Sequence, residues 1–319
     1  MKKKLISIVT PCFNEEGNVE ELYRQIKAVM ESLPQYDYEQ LYIDNASTDS
    51  TVSILRRLAS QDWHVKVIIN MRNYGHIRSP YYAFLQARGQ AVVFMVSDLQ
   101  DPPALLVDFV KKWEEGYKVV LGQKVGSDES KIFYLMRTIY YGLTKRLAEV
   151  ELLEHVTGFG LFDREVVEQF RKLDDNYPYA RGLVCEFGYT VARIPYRQPN
   201  RKSGITKNNF YTLYDMAMLG LTSHSKVPLR LATMLGFSMS IISMMAGFIY
   251  FVYKLIYWDR FSVGMAPLVI GLFFFSSVQL FFLGIVGEYI GAIHRQVYKR
   301  PMVIEKERIN FDDDAVEKS

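Results

Sequence analysis

The chain has 319 residues, 49% hydrophobic and 23% charged, the balance of a globular protein with one large domain or one domain and an appendage. A net charge of +3 is too small to argue for a nucleic-acid partner. The two cysteines, Cys12 and Cys185, supply neither a disulfide framework nor metal-ligand spacing, and no apolar signal-peptide core follows the basic start Met1-Lys2-Lys3-Lys4, so the soluble part is expected in the cytosol.

Along the chain, Leu5–Thr10 reads as a strand rich in β-branched residues and ended by Pro11. Asn18–Ser32 reads as an amphipathic helix, with Val19, Leu22, Ile26, Val29 and Met30 at helical spacing. A second strand, Gln40–Ile43, stops at Asp44-Asn45-Ala46-Ser47-Thr48-Asp49, a cluster that also offers an N-cap to a helix over Thr51–Ser60. Val65–Asn70 is a third strand, Pro80–Gln90 a helix, and Ala91–Val96 a fourth, wholly apolar strand of the kind buried in a parallel sheet. The alternation predicts an α/β, doubly wound, mainly parallel sheet.

In such sheets ligands bind outside the carboxyl ends of the strands. The loops expected there carry Pro11–Glu15, Asp44-Asn45, Asn70–Tyr74 and Asp98–Asp101. Asp98, Gln100 and Asp101 are hard oxygen donors on a turn stiffened by Pro102 and Pro103, and they suit Mg2+ or Mn2+ carrying a phosphate. The plainer alternative is a proline-terminated turn whose acids only solvate the loop. The chain has no G-x-G-x-x-G and no G-x-x-x-x-G-K-[ST], which weighs against dinucleotide and P-loop sites.

Residues 231–290 carry almost no charge. Leu231–Tyr253 and Gly264–Val286 are each long enough for a transmembrane helix, which needs about 20 residues. The connector Lys254–Val263 holds Tyr257 and Trp258, which suit a membrane interface, and only Lys254 and Arg260 as cations. Lys226 and Arg230 precede the pair and His294, Arg295, Lys299 and Arg300 follow it, which predicts a hairpin with both termini cytoplasmic. Glu288 is expected near the cytoplasmic interface, and the polar, acidic Ile309–Ser319 is expected to be disordered.

Six motifs occur in order: Pro11–Glu15 (P-x-[YF]-N-E), Asp44–Asp49 (D-[DN]-x-S-x-D), Arg72–Gly75 (R-N-x-G), Asp98–Pro103 (D-L-Q-D-P-P), Arg201–Lys207 (R-x-x-G-x-[ST]-K) and Pro228-Leu229-Arg230 before the hairpin. With them the chain resembles the family 2, GT-A-fold glycosyltransferases, in particular the membrane-anchored polyprenyl-phosphate group that includes dolichol-phosphate mannose synthase and bactoprenol glucosyltransferases. The resemblance implies an inverting transfer of sugar from a nucleoside diphosphate sugar, UDP-sugar favoured, to polyprenyl phosphate at the cytoplasmic face of a bacterial inner membrane. It implies that Pro11, Phe13, Glu15, Asp44 and Ser97 hold the nucleotide sugar. Asp98 and Gln100 would ligate Mg2+ or Mn2+, and Arg201 and Lys207 would grip phosphate. The implied partners are the nucleotide sugar, the lipid phosphate and the bilayer, with a homo-oligomer compatible with all three. The expected organisation is a catalytic domain over 1–208, a juxtamembrane amphipathic segment over 209–230, a first span over 231–253, a connector over 254–263, a second span with its cytoplasmic extension over 264–290, and a cytoplasmic tail over 291–319.

Three positions depart from the group's pattern. Val96 replaces the first acid of D-x-D-L-Q, leaving Asp101 or water as the substitute ligand. Asn45 replaces an acid, and Thr157-Gly158-Phe159-Gly160-Leu161 stands where G-D-F-R-L is usual, without its acid and arginine. A catalytically impaired paralogue acting as a membrane scaffold or partner subunit is the alternative these positions raise. Against it, a lipid phosphate is already anionic at neutral pH and needs little or no general base. A processive polysaccharide synthase lacks support, because no Q-x-x-R-W occurs. Tyr81 and Tyr82 are read as packing residues rather than sugar contacts.

Overall fold

The computed structural model describes residues 3–125, 156–173, 175, 178, 180–199, 227–257, 265–297 and 300–311. The described elements are β1 (Lys4–Cys12), α1 (Val19–Glu31), β2 (Tyr36–Asp44), α2 (Thr51–Gln61), β3 (Val65–Asn70), α3 (Gly75–Gln86), β4 (Ala91–Phe94), a 3-10 turn (Pro103–Leu105), α4 (Leu106–Glu114), β5 (Val119–Lys124), β6 (Val156–Asp163), α5 (Arg164–Lys172), α6 (Ala180–Glu186), β7 (Val191–Tyr196), the long helices α7 (Val227–Ile256) and α8 (Met265–Val297), and β8 (Glu305–Ile309). They fall in two compact units, one within Met1–Thr138, Leu152–Asn208 and Tyr298–Ser319, the other within Ile139–Glu151 and Asn209–Val297.

The first unit is built on one sheet of order β7-β5-β6-β4-β1-β2-β3-β8. β4, β1, β2 and β3 run parallel, as the alternation of strand and helix predicts. β6 is antiparallel to β4 and β5, and β8 is antiparallel to β3, so the sheet is mixed. All six residues of β3 are buried, and its two polar members are paired, Lys66 with Glu39 and Asn70 with Ser79. Leu22, Ile26 and Met30 of α1 pack with Phe109 and Trp113 of α4 on one face, against Ile6, Ile8 and Val93. Phe84 of α3 and Val166 and Phe170 of α5 cover the other face, against Val9, Ile43 and Ile68.

Several elements differ from their sequence expectation: β1 runs through Pro11 to Cys12 instead of ending before it, and β2 begins at Tyr36 rather than Gln40. β4 ends at Phe94 rather than Val96; the Met95 N–H still pairs with the Val9 carbonyl (3.0 Å), after which the backbone turns. α3 spans Gly75–Gln86 rather than 80–90, with Pro80 inside it. Arg171 Nε donates to the Leu85 carbonyl (3.0 Å) and Arg164 Nη2 to that of Ala87 (2.8 Å), so distant arginines satisfy the end of this helix. Finally, Ile309 is not disordered: β8 pairs Ile309 with Val67 and Arg308 with Ile68. Asn310 Nδ2 then donates to the carbonyls of Ala59 (2.7 Å) and Val65 (2.8 Å). The physical reason is the open edge of β3, whose unpaired backbone groups a returning strand satisfies.

In the second unit, Leu229–Tyr253 and Gly271–His294 are long and apolar enough to cross a membrane. Their large apolar side chains point outward: Phe237, Met244 and Phe273 are 68%, 69% and 68% exposed, whereas Ile6, Ile8 and Val9 of the sheet are wholly buried.

Candidate active site

The register Cys12↔Asp44 and Asp44↔Ile69 sets the carboxyl ends of β1, β2 and β3 side by side, and β4 joins them beside β1. Among the described residues, four non-glycines have positive φ, and three of them, Asn14, Ala46 and Leu99, sit in the loops at this edge. Strain of this kind marks loops that the surrounding structure holds for a purpose.

The loops after β1 and β2 are laced together. Asn14 N–H donates to Ser47 Oγ (2.9 Å), Thr48 N–H to Asn14 Oδ1 (2.8 Å) and Glu15 N–H to Thr51 Oγ1 (2.8 Å). Asp49 accepts from Thr51 N–H (3.0 Å) and Glu16 N–H (3.2 Å), so it satisfies the first N–H of α2 and ties the two loops together. Burial alone would raise its pKa, but these bonds outweigh that and hold it below the usual carboxylate value. Pro11 and Phe13 are half-buried at the end of β1, and the Glu15 carboxylate accepts from Asn18 Nδ2 (2.7 Å) at the entry to α1. Asp44 is wholly buried. Its Oδ2 accepts from Ser47 N–H (2.9 Å), while Oδ1 has no hydrogen-bond partner among the described residues. Burial pushes its pKa up.

Asn45 organises the loop after β3. Its amide donates to Asn73 Oδ1 (2.9 Å) and the Gly75 carbonyl (3.1 Å), and its Oδ1 accepts from Asn70 Nδ2 (3.1 Å) and Tyr74 N–H (2.9 Å). Asn70 also donates to Ser79 Oγ (2.9 Å). A carboxylate at position 45 has no donor for Asn73 and Gly75. The departure at this position therefore belongs to a network that includes Asn73 of the R-N-x-G motif, and Ser79 is a member that sequence reasoning missed.

At the end of β4, Ser97 Oγ donates to the Pro11 carbonyl (3.0 Å), so this side chain braces β1 against the turn. Asp98 Oδ1 accepts from Gln100 N–H (3.1 Å) across Leu99, and Gln100 Nε2 donates to the Pro199 carbonyl (3.4 Å). Asp101 is buried and accepts from Tyr196 Oη (2.9 Å). Burial first, and the nearby Asp98 charge, push its pKa up to about 6. No group of three or more His, Cys, Asp or Glu side chains stands together for a metal among the described residues. One carboxylate and one amide oxygen fit Mg2+ or Mn2+, which commonly takes one or two carboxylates and fills its shell with substrate phosphates and water. Arg201 and Lys207 lie outside the described residues, as does Trp258.

The strand that lacks the acid and arginine of G-D-F-R-L is fixed in that form by its backbone. Gly158 has φ +97°, a conformation that side chains rarely adopt, and a Cβ on Gly160 would lie 2.4 Å from the Val120 carbonyl oxygen. Tyr81 is a core residue, as expected, donating from its hydroxyl to the Phe170 carbonyl (2.9 Å).

The profile of "Glycosyl transferase family 2" matches residues 7–171, and that of "GtrB C-terminal hairpin" matches residues 227–293. The chain belongs to glycosyl transferase family 2. This glycosyltransferase is 32% identical over 309 residues to the glycosyltransferase YkcC of Bacillus subtilis, covering 96% of this chain and 95% of the relative. It is 32% identical over 304 residues to the bactoprenol glucosyl transferase of Shigella phage SfII, covering 94% of this chain and 97% of the relative. Among solved structures it is similar to the mannosyltransferase PcManGT of Pyrobaculum calidifontis in complex with GDP-Man and Mn2+, at 16% identity and a TM-score of 0.49 over 94% of this chain and 89% of that one. The mixed sheet is the GT-A fold, and α7 and α8 coincide with the matched hairpin.

Proposed function

We propose that this glycosyltransferase moves a sugar from a nucleoside diphosphate sugar, a UDP-sugar foremost, to polyprenyl phosphate with inversion at the anomeric carbon. The observation that carries the reading is the pairing, in one chain, of a carboxylate-bearing sheet edge with two helices whose apolar side chains face outward. The relatives named bactoprenol glucosyl transferase support the lipid acceptor. The same helices support a membrane location, a bacterial inner membrane in this reading, and the flanking cations Lys226, Arg230, His294, Arg295, Lys299 and Arg300 support cytoplasmic termini. The catalytic unit comprises 1–208, to which β8 and its flanks add residues 300–311.

Pro11, Phe13, Glu15 and Asp44 would hold the nucleotide, the unpartnered Asp44 Oδ1 being an acceptor available to a donor group of the ligand. Ser97 would act indirectly, by bracing the end of β1. Asp98 and Gln100 would hold Mg2+ or Mn2+, which when bound neutralises charge developing on the leaving diphosphate. Arg201 and Lys207 would place the acceptor phosphate, arginine as a bidentate fork and lysine as a point charge. The acceptor is already an anion, so the loss of the acid at Gly158 does not remove a required base.

The test is transfer of radiolabel from UDP-glucose, UDP-N-acetylglucosamine and GDP-mannose to undecaprenyl phosphate by the purified chain in detergent. Lipid-linked label from one of the uridine donors supports the reading. Binding of UDP with no lipid-linked label from any donor would instead favour a catalytically silent partner subunit, the reading that Val96, Gly158 and Gly160 raise.

A further inference from the structure

Tyr196 lies at the end of β7, outside every motif described above. We infer that Tyr196 is a positioning residue for the Asp98 turn, acting through Asp101; the inference rests on the reading of Asp98 and Gln100 as the residues that hold the divalent ion.

The turn from Val96 to Asp101 carries its functional groups on a strained backbone, with Leu99 at φ 59°. Something must hold it closed. The Asp101 carboxyl does so from the inner side, lying near the backbone N–H of Val96 at one end of the turn and accepting from Tyr196 Oη (2.9 Å) behind it. Asp101 and Tyr196 are 3% and 7% exposed, so this bond is shielded from water and its loss leaves a buried acceptor short of a donor. Committed inward, Asp101 supports the turn rather than replacing the carboxylate that Val96 lacks.

The aim of the Tyr196 hydroxyl is itself fixed. The ring packs edge-on against Phe159 of β6, with centroids 5.7 Å apart and planes at 80°. It also lies over Gly122 of β5, where an added Cβ would stand 2.9 Å from Tyr196 Cε1 and 3.1 Å from Phe159 Cδ1. The β5–β6 pairing shifts register between Leu121 and Gln123, around this glycine. Two strands thus build a slot for a ring carried by a third, and the hydroxyl leaves it toward Asp101. A second link, from Gln100 Nε2 to the Pro199 carbonyl (3.4 Å), joins the same turn to the segment that follows β7. Packing alone does not require the hydroxyl, since phenylalanine fills the slot equally well.

The experiment measures Mn2+ binding to the full-length chain in detergent with saturating UDP, from the spin-resonance signal of free Mn2+, alongside thermal melting. Tyr196→Phe is expected to weaken Mn2+ binding about tenfold, the effect of one lost hydrogen bond to a charged group, together with a modest fall in Tm from the buried carboxyl left short of a donor. Gly122→Ala, which displaces the ring and leaves the hydroxyl intact, is expected to weaken it in the same direction, and it carries the test should Tyr196→Phe not fold. Arg193→Ala, an exposed neighbour on β7, is expected to leave Mn2+ binding unchanged. Asp98→Ala is the reference. If Asp98→Ala loses Mn2+ and Tyr196→Phe retains wild-type affinity, or shows only a lower Tm, the positioning role is overturned while the metal reading stands. If Asp98→Ala keeps Mn2+, the metal reading falls and the positioning role with it.

Discussion

At the amino end of the strands, Glu39 is buried and fully answered: it accepts from Ser7 Oγ (2.5 Å) and Arg88 N–H (2.9 Å), and Lys66 Nζ lies 2.8 Å away. Beside it, Asp62 accepts from Tyr23 Oη (2.8 Å) and His64 N–H (3.0 Å). Burial alone would raise both pKa values, but these partners outweigh it, lowering Glu39 and holding Asp62 at about 2. At the carboxyl end of the same sheet, Asp44 and Asp101 are equally buried, yet their pKa values go up. One end answers its acids fully; the other answers Asp49 through backbone donors but leaves Asp44 and Asp101 short of positive charge. A shortage of that sign is what a site for a divalent ion and hydrogen-bond donors looks like when only the protein's own groups are counted.

The largest effect should come from the turn at the carboxyl end. Asp98→Ala is expected to lower sugar transfer by about 10²–10³-fold, the scale of losing one preorganised electrostatic contact to the leaving group. Excess chelator should do the same to the wild type, and melting should barely change. Full activity of Asp98→Ala would remove the contrast between the two ends. At the amino end the loss should be of stability instead. Lys66→Met strands the Glu39 carboxylate and should cost about 3–5 kcal/mol in denaturant unfolding, while UDP affinity of the folded protein stays unchanged.

Asn45→Asp probes the boundary between the two kinds of acid. It removes two donated bonds, to Asn73 and Gly75, and adds a charge beside Asp44. A rise in the donor KM of about tenfold or more is expected, from roughly 1.5–3 kcal/mol of lost hydrogen bonding. An unchanged KM would show that the loop after β3 is not part of the donor site.

At the pH of activity the least visible effect is the acid limb of stability. Asp62 has a folded pKa of about 2 against an unfolded value of about 3.9, so its contribution is present above about pH 4 and lost as pH falls through 2. It amounts to about 2 kcal/mol. Asp62→Asn should flatten the stability profile between those limits, and an unaltered profile would contradict the assignment.

Much of this was legible in the sequence. The apolar run Ala91–Phe94 and the periodicity of Val19–Glu31 report directly which faces are buried, and the acids that follow the strands mark the edge of the candidate site. What escaped depends on distant partners. The end of α3 is set by Arg164 and Arg171, far along the chain. β8 is polar by composition because its charges answer Arg56, Tyr82 and Gln86 rather than water alone. Tyr196 belongs to no local pattern, since its role comes from a slot made by Gly122 and Phe159. The motifs identified Asp98 but could not report which way Asp101 faces.

The most direct test of the account is calorimetric titration of UDP into the full-length protein, with and without Mg2+, for wild type and Asp98→Ala. The account predicts that Mg2+ tightens UDP binding to the wild type and leaves Asp98→Ala unaffected. UDP binding that is equally tight without Mg2+, or equally strengthened by it in Asp98→Ala, would contradict the assignment of the carboxyl end as the metal-assisted donor site.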